Sequence, residues 1–90
     1  MKKAVRVYFS GIVQDIFFRA NIKENAEKLD VKGFVRNLED GRVEAFFEGN
    51  HNEVEKLIDL CKAHKQAKID NIEIKNEKFQ DLKGFKILHI

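Results

Sequence analysis

The stretch that determines the fold is residues 33 to 49, G-F-V-R-N-L-E-D-G-R-V-E-A-F-F-E-G. It contains two extended runs rich in valine and phenylalanine, separated by Glu39-Asp40-Gly41. An Asp-Gly pair between such runs is a strong short-range signal for a β-hairpin, because both residues tolerate the positive φ angles of a tight turn. The stretch therefore predicts two antiparallel strands, with core-facing side chains at Val43, Ala45 and Phe47.

A helix is predicted on each side of this hairpin. The first covers residues 18 to about 31, stops at Gly33, and has apolar residues at helical spacing, namely Phe18, Ile22, Ala26 and Leu29. The second begins after Asn50, where Glu53 three residues later resembles a capping arrangement, and runs to about His64. Its apolar stripe consists of Val54, Leu57, Ile58 and Cys61.

The outer segments are predicted to be strands. Residues 3 to 10 alternate between apolar and polar side chains, and Gly11 is expected to end that strand. A second alternation surrounds Ile72 and Ile74, and a polar loop at 76 to 83 leads to the final run F-K-I-L-H-I. The order is β-α-β-β-α-β with an extra short strand. Both helices must bury one stripe, so we predict a ferredoxin-like α+β sandwich: an antiparallel sheet with both helices on one face.

Length and composition restrict the class of protein. Ninety residues, 43% hydrophobic and 36% charged, fit a single domain over 1 to 90. Seventeen basic and 15 acidic residues are interspersed, so the charge pattern gives no case for a nucleic-acid or membrane partner. The N-terminus has no uninterrupted apolar run of signal-peptide length. A lone cysteine excludes an internal disulfide framework and fits a reducing cytoplasm.

Metal binding is not predicted. His51, His64 and His89 lie far apart in the sequence and form no recognisable ligand spacing with Cys61. We expect neither a metal nor a cofactor.

The segment G-I-V-Q-D-I-F-F-R, residues 11 to 19, places Arg19 in the first turn of the first predicted helix. A cation is disfavoured there by roughly 0.3 to 1 kcal/mol, because the unpaired N–H groups carry partial positive charge. A bound anion would resolve the conflict, since N–H groups of residues 11 to 18, here named the anion loop, can converge on a phosphate beside a guanidinium fork. The alternative is a solvated surface arginine.

Asn37 is a second unusual residue, because asparagine is depleted in strands and this one sits near the end of a predicted strand. Its side chain is available there to a ligand. The alternative is an asparagine that initiates the turn at Glu39-Asp40-Gly41.

Together these residues resemble the acylphosphatase family, in which G-x-V-Q-G-V-x-F-R and G-W-V-x-N recur. This chain has G-I-V-Q-D-I-F-F-R at 11–19 and G-F-V-R-N at 33–37, with further likeness in D-G-R-V-E at 40–44, E-G at 48–49 and G-F-K-I at 84–87. The resemblance covers essentially all of the chain. It implies the same ferredoxin-like fold and hydrolysis of acyl phosphates to carboxylate and inorganic phosphate without metal or cofactor. The implied ligands are a small-molecule acyl phosphate and phosphate or sulfate, and a monomer is expected.

The resemblance also implies roles for particular residues. The phosphoryl group is expected to contact the Arg19 guanidinium and the backbone N–H groups of Gln14, Asp15, Ile16, Phe17, Phe18 and Arg19. Asn37 is expected to orient the attacking water. Catalysis then consists largely of positioning and charge stabilisation, as is general for phosphoryl transfer.

Two positions depart from the family pattern. Phe34 replaces a tryptophan, an exchange between aromatic side chains that should preserve packing. Asp15 replaces a glycine, and its carboxylate is expected to weaken phosphate binding through charge repulsion. The alternative function is therefore a non-catalytic phosphate- or partner-binding domain of the same fold.

RNA binding is a rival interpretation, because RRM modules share the ferredoxin-like plan. Lys32-Gly33-Phe34 begins like an RNP1 motif, and Tyr8 and Phe46 are candidates for an exposed sheet face. The residues that follow lack the small residue and the second aromatic of that motif, and the segment is on the second strand rather than the third.

Overall fold

A computed structural model of the protein describes residues 1 to 89; Ile90, the last residue of the predicted final run, lies outside the described residues. The elements in chain order are β1 Lys2–Ile12, α1 Ile16–Lys28, β2 Lys32–Asn37, β3 Val43–Asn50, α2 His51–Lys62, β4 Lys68–Asn76 and β5 Phe85–Leu88. The five strands form one sheet in the order β4-β1-β3-β2-β5.

This arrangement confirms the predicted ferredoxin-like plan, with one difference. The strands β1 to β4 pair antiparallel, whereas β5 pairs parallel with β2, so the sheet is mixed rather than wholly antiparallel. The reason is the path of residues 77 to 83. They leave β4 beside the start of β1, where the Glu77 N–H donates to the Ala4 carbonyl, and reach the opposite edge beside Gly33 at the start of β2.

The core lies between the sheet and the two helices. Val43, Ala45 and Phe47 are all fully buried there, as predicted from the hairpin pattern. From α1 the core receives Phe18, Ile22 and Ala26, and from α2 it receives Val54, Leu57, Ile58 and Cys61. Burial raises the pKa of the Cys61 thiol to about 12, which keeps it protonated and unreactive.

The first helix ends earlier than the spacing of its apolar residues predicted, and Gly33 is not its stop. Asp30, with φ 56°, takes the left-handed conformation after the helix. The N–H of Asp30 donates to the Glu27 carbonyl, and that of Val31 to the Ala26 carbonyl, which is a Schellman motif. Gly33 instead lies inside β2, where it allows close approach of a neighbouring strand.

The second helix begins as predicted, since the Asn50 side chain accepts a hydrogen bond from the Asn52 N–H at 3.2 Å. Within residues 1 to 89, no helix combines the length and apolar character needed to cross a membrane.

The sheet face opposite the helices is partly covered, which contradicts the interpretation of Phe46 as an exposed RNA-stacking residue. Phe46 is 0% exposed. Its ring stacks on Phe34 at 5.8 Å, and the Arg6 guanidinium lies 5.4 Å from its centroid. Tyr8 is only half-buried, but Arg42 lies over its ring. These side chains leave no row of free aromatic faces for bases.

The buried Glu48 holds the segment that carries the chain to β5. Its carboxylate accepts hydrogen bonds from the N–H groups of Gln80, at 2.6 Å, and Leu82, at 2.5 Å. A buried carboxylate requires such donors, because desolvation without them is costly. Glu48 thereby fixes the path into β5, whose end contributes to the site described next.

Candidate active site

The anion loop starts with a β-bulge rather than with the end of β1. The register of β1 against β4 shifts between Ser10 and Gly11, and the strand continues to Ile12. Gly11 has φ 124°, and a Cβ there would lie 2.2 Å from the Lys68 carbonyl oxygen. Only glycine fits this position. The prediction that Gly11 ends the strand is therefore wrong, and only residues 13 to 15 lie between β1 and α1.

Asp15 caps the helix that follows. Its backbone is extended, with φ −117° and ψ 134°, so the position does not require the glycine found in the family pattern. Its carboxylate accepts a hydrogen bond from the Phe17 N–H at 2.7 Å. Aspartate is among the best residues at this position, and its charge also suits the helix dipole. The Asp15 side chain therefore points at the helix N-terminus rather than into bulk water.

This cap changes which N–H groups of the anion loop are available. The N–H groups of Phe18 and Arg19 donate to the Asp15 carbonyl, and that of Asp15 itself donates to the Val13 carbonyl. Within residues 1 to 89, the Gln14 and Ile16 N–H groups donate no hydrogen bond to protein atoms. Of the six predicted donors, two are thus unoccupied, and the Phe17 N–H already donates to the Asp15 carboxylate.

The Gln14 side chain ties the anion loop to the β2–β3 turn, a role that sequence reasoning missed. Its Nε2 donates to the carbonyl oxygens of Leu38, at 2.6 Å, and Arg42, at 3.0 Å. The turn itself is ordered by Asp40, whose pKa is lowered by hydrogen bonds from the Arg42 backbone N–H and guanidinium. Gln14 therefore fixes the loop relative to Asn37, the residue preceding the turn.

Arg19 and Asn37, 18 positions apart in the sequence, line one small cavity of about 130 Å³ together with Leu88 and His89. Arg19 Nε, a donor, and Asn37 Oδ1, an acceptor, are both buried and have no hydrogen-bond partner within the described part of the chain. Buried polar atoms in native proteins nearly always have partners, so each such atom calls for an explanation. A cavity with one unpaired donor and one unpaired acceptor fits a polar ligand.

Leu88 and His89 were not predicted as site residues. They reach the cavity only because β5 pairs parallel with β2. This pairing places the C-terminal end of β5 beside Asn37. The sequence did contain a signal for this part of the chain, because the adjacent segment G-F-K-I at 84–87 resembles the family pattern.

A larger depression, of about 510 Å³, lies at the other end of β1, beside Met1, Lys2 and Phe79. It contains neither Arg19 nor Asn37. Within residues 1 to 89, no group of three or more His, Cys, Asp and Glu side chains could hold a metal ion. The small cavity thus offers a ligand the Arg19 guanidinium and the Asn37 amide, with Leu88 and His89 beside them.

Comparisons with known proteins show the family of this chain. A family model described as Acylphosphatase matches residues 5–87. An acylphosphatase of Rubrobacter xylanophilus is 49% identical over 76 residues, which cover 83% of this chain and 69% of that protein. An acylphosphatase of Syntrophus aciditrophicus is 42% identical over 91 residues, covering 99% and 95%. The crystal structure of acylphosphatase from Bacillus subtilis superposes with a TM-score of 0.91 at 27% identity, covering 99% and 100%.

Proposed function

This chain belongs to the acylphosphatase family and is a hydrolase of acyl phosphates, and we propose that Arg19 and the anion loop hold the phosphoryl group while Asn37 orients the attacking water. The observation that supports these roles is the pair of buried, unpartnered atoms, Arg19 Nε and Asn37 Oδ1, in one cavity. A phosphoryl oxygen would accept from the guanidinium, and a water would donate to the amide oxygen.

The anion loop supplies further donors to the phosphoryl oxygens. The unoccupied N–H groups of Gln14 and Ile16 lie at the N-terminus of α1, where the helix dipole favours an anion. The guanidinium of Arg19 adds a planar fork that matches two oxygens of one phosphoryl group. The Gln14 side chain holds this loop against the turn that follows Asn37.

The reaction is a single displacement at phosphorus. The water oxygen on Asn37 forms the new P–O bond, while the bond to the carboxyl oxygen breaks and its electron pair leaves with the carboxylate. Both protons of the water end on the released phosphate, so a doubly charged acyl phosphate and water give a carboxylate and dihydrogen phosphate. A carboxylate is a weak base and leaves without protonation, so positioning and charge stabilisation suffice.

The proposal also includes the cofactor requirement, the oligomeric state and the location of the enzyme. The enzyme needs no metal or cofactor, because the guanidinium and backbone donors stabilise the phosphoryl charge. It works as a monomer in the cytoplasm, where the free, buried Cys61 stays reduced. Phosphate, as product, and sulfate, which has the same shape, occupy the phosphoryl position.

Asn37→Ala tests the catalytic assignment. We expect kcat for benzoyl phosphate to fall at least about tenfold, a loss of ~1.4 kcal/mol of transition-state stabilisation, because the water loses its acceptor. The inhibition constant of inorganic phosphate should change less than about twofold, since the phosphoryl donors remain. Initial rates of benzoyl phosphate hydrolysis, with phosphate as inhibitor, measure both.

Asn71→Ala is the matched control, because Asn71 is an exposed asparagine on β4. It should leave both constants unchanged. If Asn37→Ala retains more than a tenth of the native kcat, Asn37 does not orient the water.

We expect Asp15 to weaken phosphate binding, because the Phe17 N–H already donates to the Asp15 carboxylate and is not available to the phosphate. We expect Asp15→Gly to raise kcat/KM for benzoyl phosphate by several-fold and to tighten inhibition by phosphate. The loss of helix stability should be only a few tenths of a kcal/mol, since glycine is itself an acceptable N-cap. Steady-state kinetics and urea unfolding measure the two effects.

Asp15→Asn separates charge from hydrogen bonding, because asparagine keeps the cap and removes the charge. If kcat/KM rises in both Asp15→Gly and Asp15→Asn, the charge of Asp15 causes the weak phosphate binding. If kcat/KM rises in Asp15→Gly alone, the cause is the hydrogen bond that occupies the Phe17 N–H. A kcat/KM in Asp15→Gly equal to or lower than that of the native chain would contradict the proposal that Asp15 weakens phosphate binding. Phosphate binding without turnover in the native chain would favour the non-catalytic alternative.

A further inference from the structure

Phe17 is a large apolar side chain that folding does not explain. It is 64% exposed, whereas the adjacent Phe18 is fully buried in the core. A phenylalanine held in water at the first turn of a helix contributes little to stability, since its apolar surface stays hydrated. Its backbone N–H accounts for the Asp15 cap, but any residue other than proline supplies that N–H.

The position of Phe17 on α1 separates it from Arg19. Successive helical residues are about 100° apart, so Phe17 lies roughly 160° around the helix from Arg19. Ile16, which is 68% exposed, lies only about 60° from Arg19 on the side of the cavity. The first turn of α1 therefore presents Ile16 toward the Arg19 side of the helix and Phe17 toward the opposite side.

In-line displacement determines which side the acyl group occupies. The attacking oxygen and the leaving oxygen lie on opposite sides of phosphorus. With water on Asn37, the carboxyl oxygen and its acyl group point away from the cavity that holds Arg19 and Asn37. This step rests on the proposed function. Phe17 is the exposed aromatic side chain of the anion loop, and it lies on the side of α1 away from Arg19.

We propose that the Phe17 side chain contacts the acyl group of the substrate and makes the enzyme selective for apolar, above all aromatic, acyl phosphates. An aromatic ring offers a second ring both apolar contact and offset or edge-to-face stacking. Small acyl groups such as acetyl are too short to cover the ring. Phe17 is thus a specificity residue, and its contact adds to binding energy beyond that of the phosphoryl group.

The test compares kcat/KM for benzoyl phosphate with kcat/KM for acetyl phosphate in Phe17→Ala. Alanine keeps the backbone N–H and favours the helix, so the Asp15 cap remains. We expect the benzoyl-to-acetyl ratio to fall about tenfold, the scale on which a hydrophobic contact discriminates between substrates. A ratio is used because any change in the phosphoryl site affects both substrates alike.

Phe79→Ala is the matched control, because Phe79 is also exposed, at 40%, but lies beside Lys2 at the other end of β1. It should leave the ratio and both rates at their native values. An unchanged ratio in Phe17→Ala would overturn the proposal, and so would a fall in Ile16→Ala that Phe17→Ala does not show. Retained activity in Asn37→Ala would instead remove the catalytic assignment, so the two failures are distinct.

Discussion

Arg19→Ala is expected to lower kcat/KM for benzoyl phosphate by about 10²- to 10³-fold, the range measured when one preorganised donor to developing charge is removed. Arg19 brings the only guanidinium that lines the cavity with Asn37 among the described residues. Its Nε is buried and has no hydrogen-bond partner within the described residues, so this donor is free for an oxygen of the phosphoryl group. Inhibition by inorganic phosphate should weaken in parallel, because the same contact serves product and transition state.

Stability separates this loss of function from a loss of structure. Removing a cation from the first turn of α1 should leave the free energy of unfolding unchanged or raise it by a few tenths of a kcal/mol. Arg19→Lys keeps the charge but not the planar fork, so its activity should fall between those of the native chain and Arg19→Ala. A decrease below tenfold in Arg19→Ala, with unchanged urea unfolding, would show that the phosphoryl group binds elsewhere.

Gly33→Ala is expected to cause the largest loss of stability, about 3 kcal/mol or more, a size reserved for strained or overpacked positions. Gly33 has φ 148°, and a Cβ there would lie 1.7 Å from the Phe46 carbonyl oxygen. Backbone cannot move aside as a flexible side chain can. The total stability of a 90-residue domain is on the order of 5 to 13 kcal/mol, so the variant should unfold at a much lower urea concentration.

Gly84→Ala is the control for this prediction. Gly84 also has a positive φ, 78°, but no atom lies within 4 Å of a Cβ built there. It should cost only about 1 to 2 kcal/mol, the ordinary penalty for a side chain in the left-handed region. Equal urea midpoints for the two variants would show that the contact with Phe46 does not determine the effect.

The residues that sequence reasoning placed well are those whose environment is set by near neighbours. The Asp40-Gly41 turn, the Asn50 cap and the stripe from Val54 to Cys61 each depend on a few adjacent positions. Arg19 and Asn37 were recognisable because each is locally unusual, a cation at a helix start and an asparagine at a strand end. That the two residues act in one site was implied by the resemblance to the acylphosphatase family.

The predictions that were wrong concern residues whose environment is set by a segment far away in the sequence. Gly11 and Gly33 looked like ends of elements, but they lie inside strands because a carbonyl of another strand approaches each of them. Phe46 looked exposed because its cover comes from Arg6 and Phe34 on neighbouring strands. No pattern along the chain records such contacts.

The sequence by itself determined the periodicity of the strands and helices, the hairpin and the caps, because these depend on interactions between residues a few positions apart. Tertiary structure alone decided that β5 runs parallel to β2 and that Gln14 binds the β2–β3 turn. The physical reason is that packing selects among several locally acceptable arrangements. The cavity of Arg19, Asn37, Leu88 and His89 is a product of that selection.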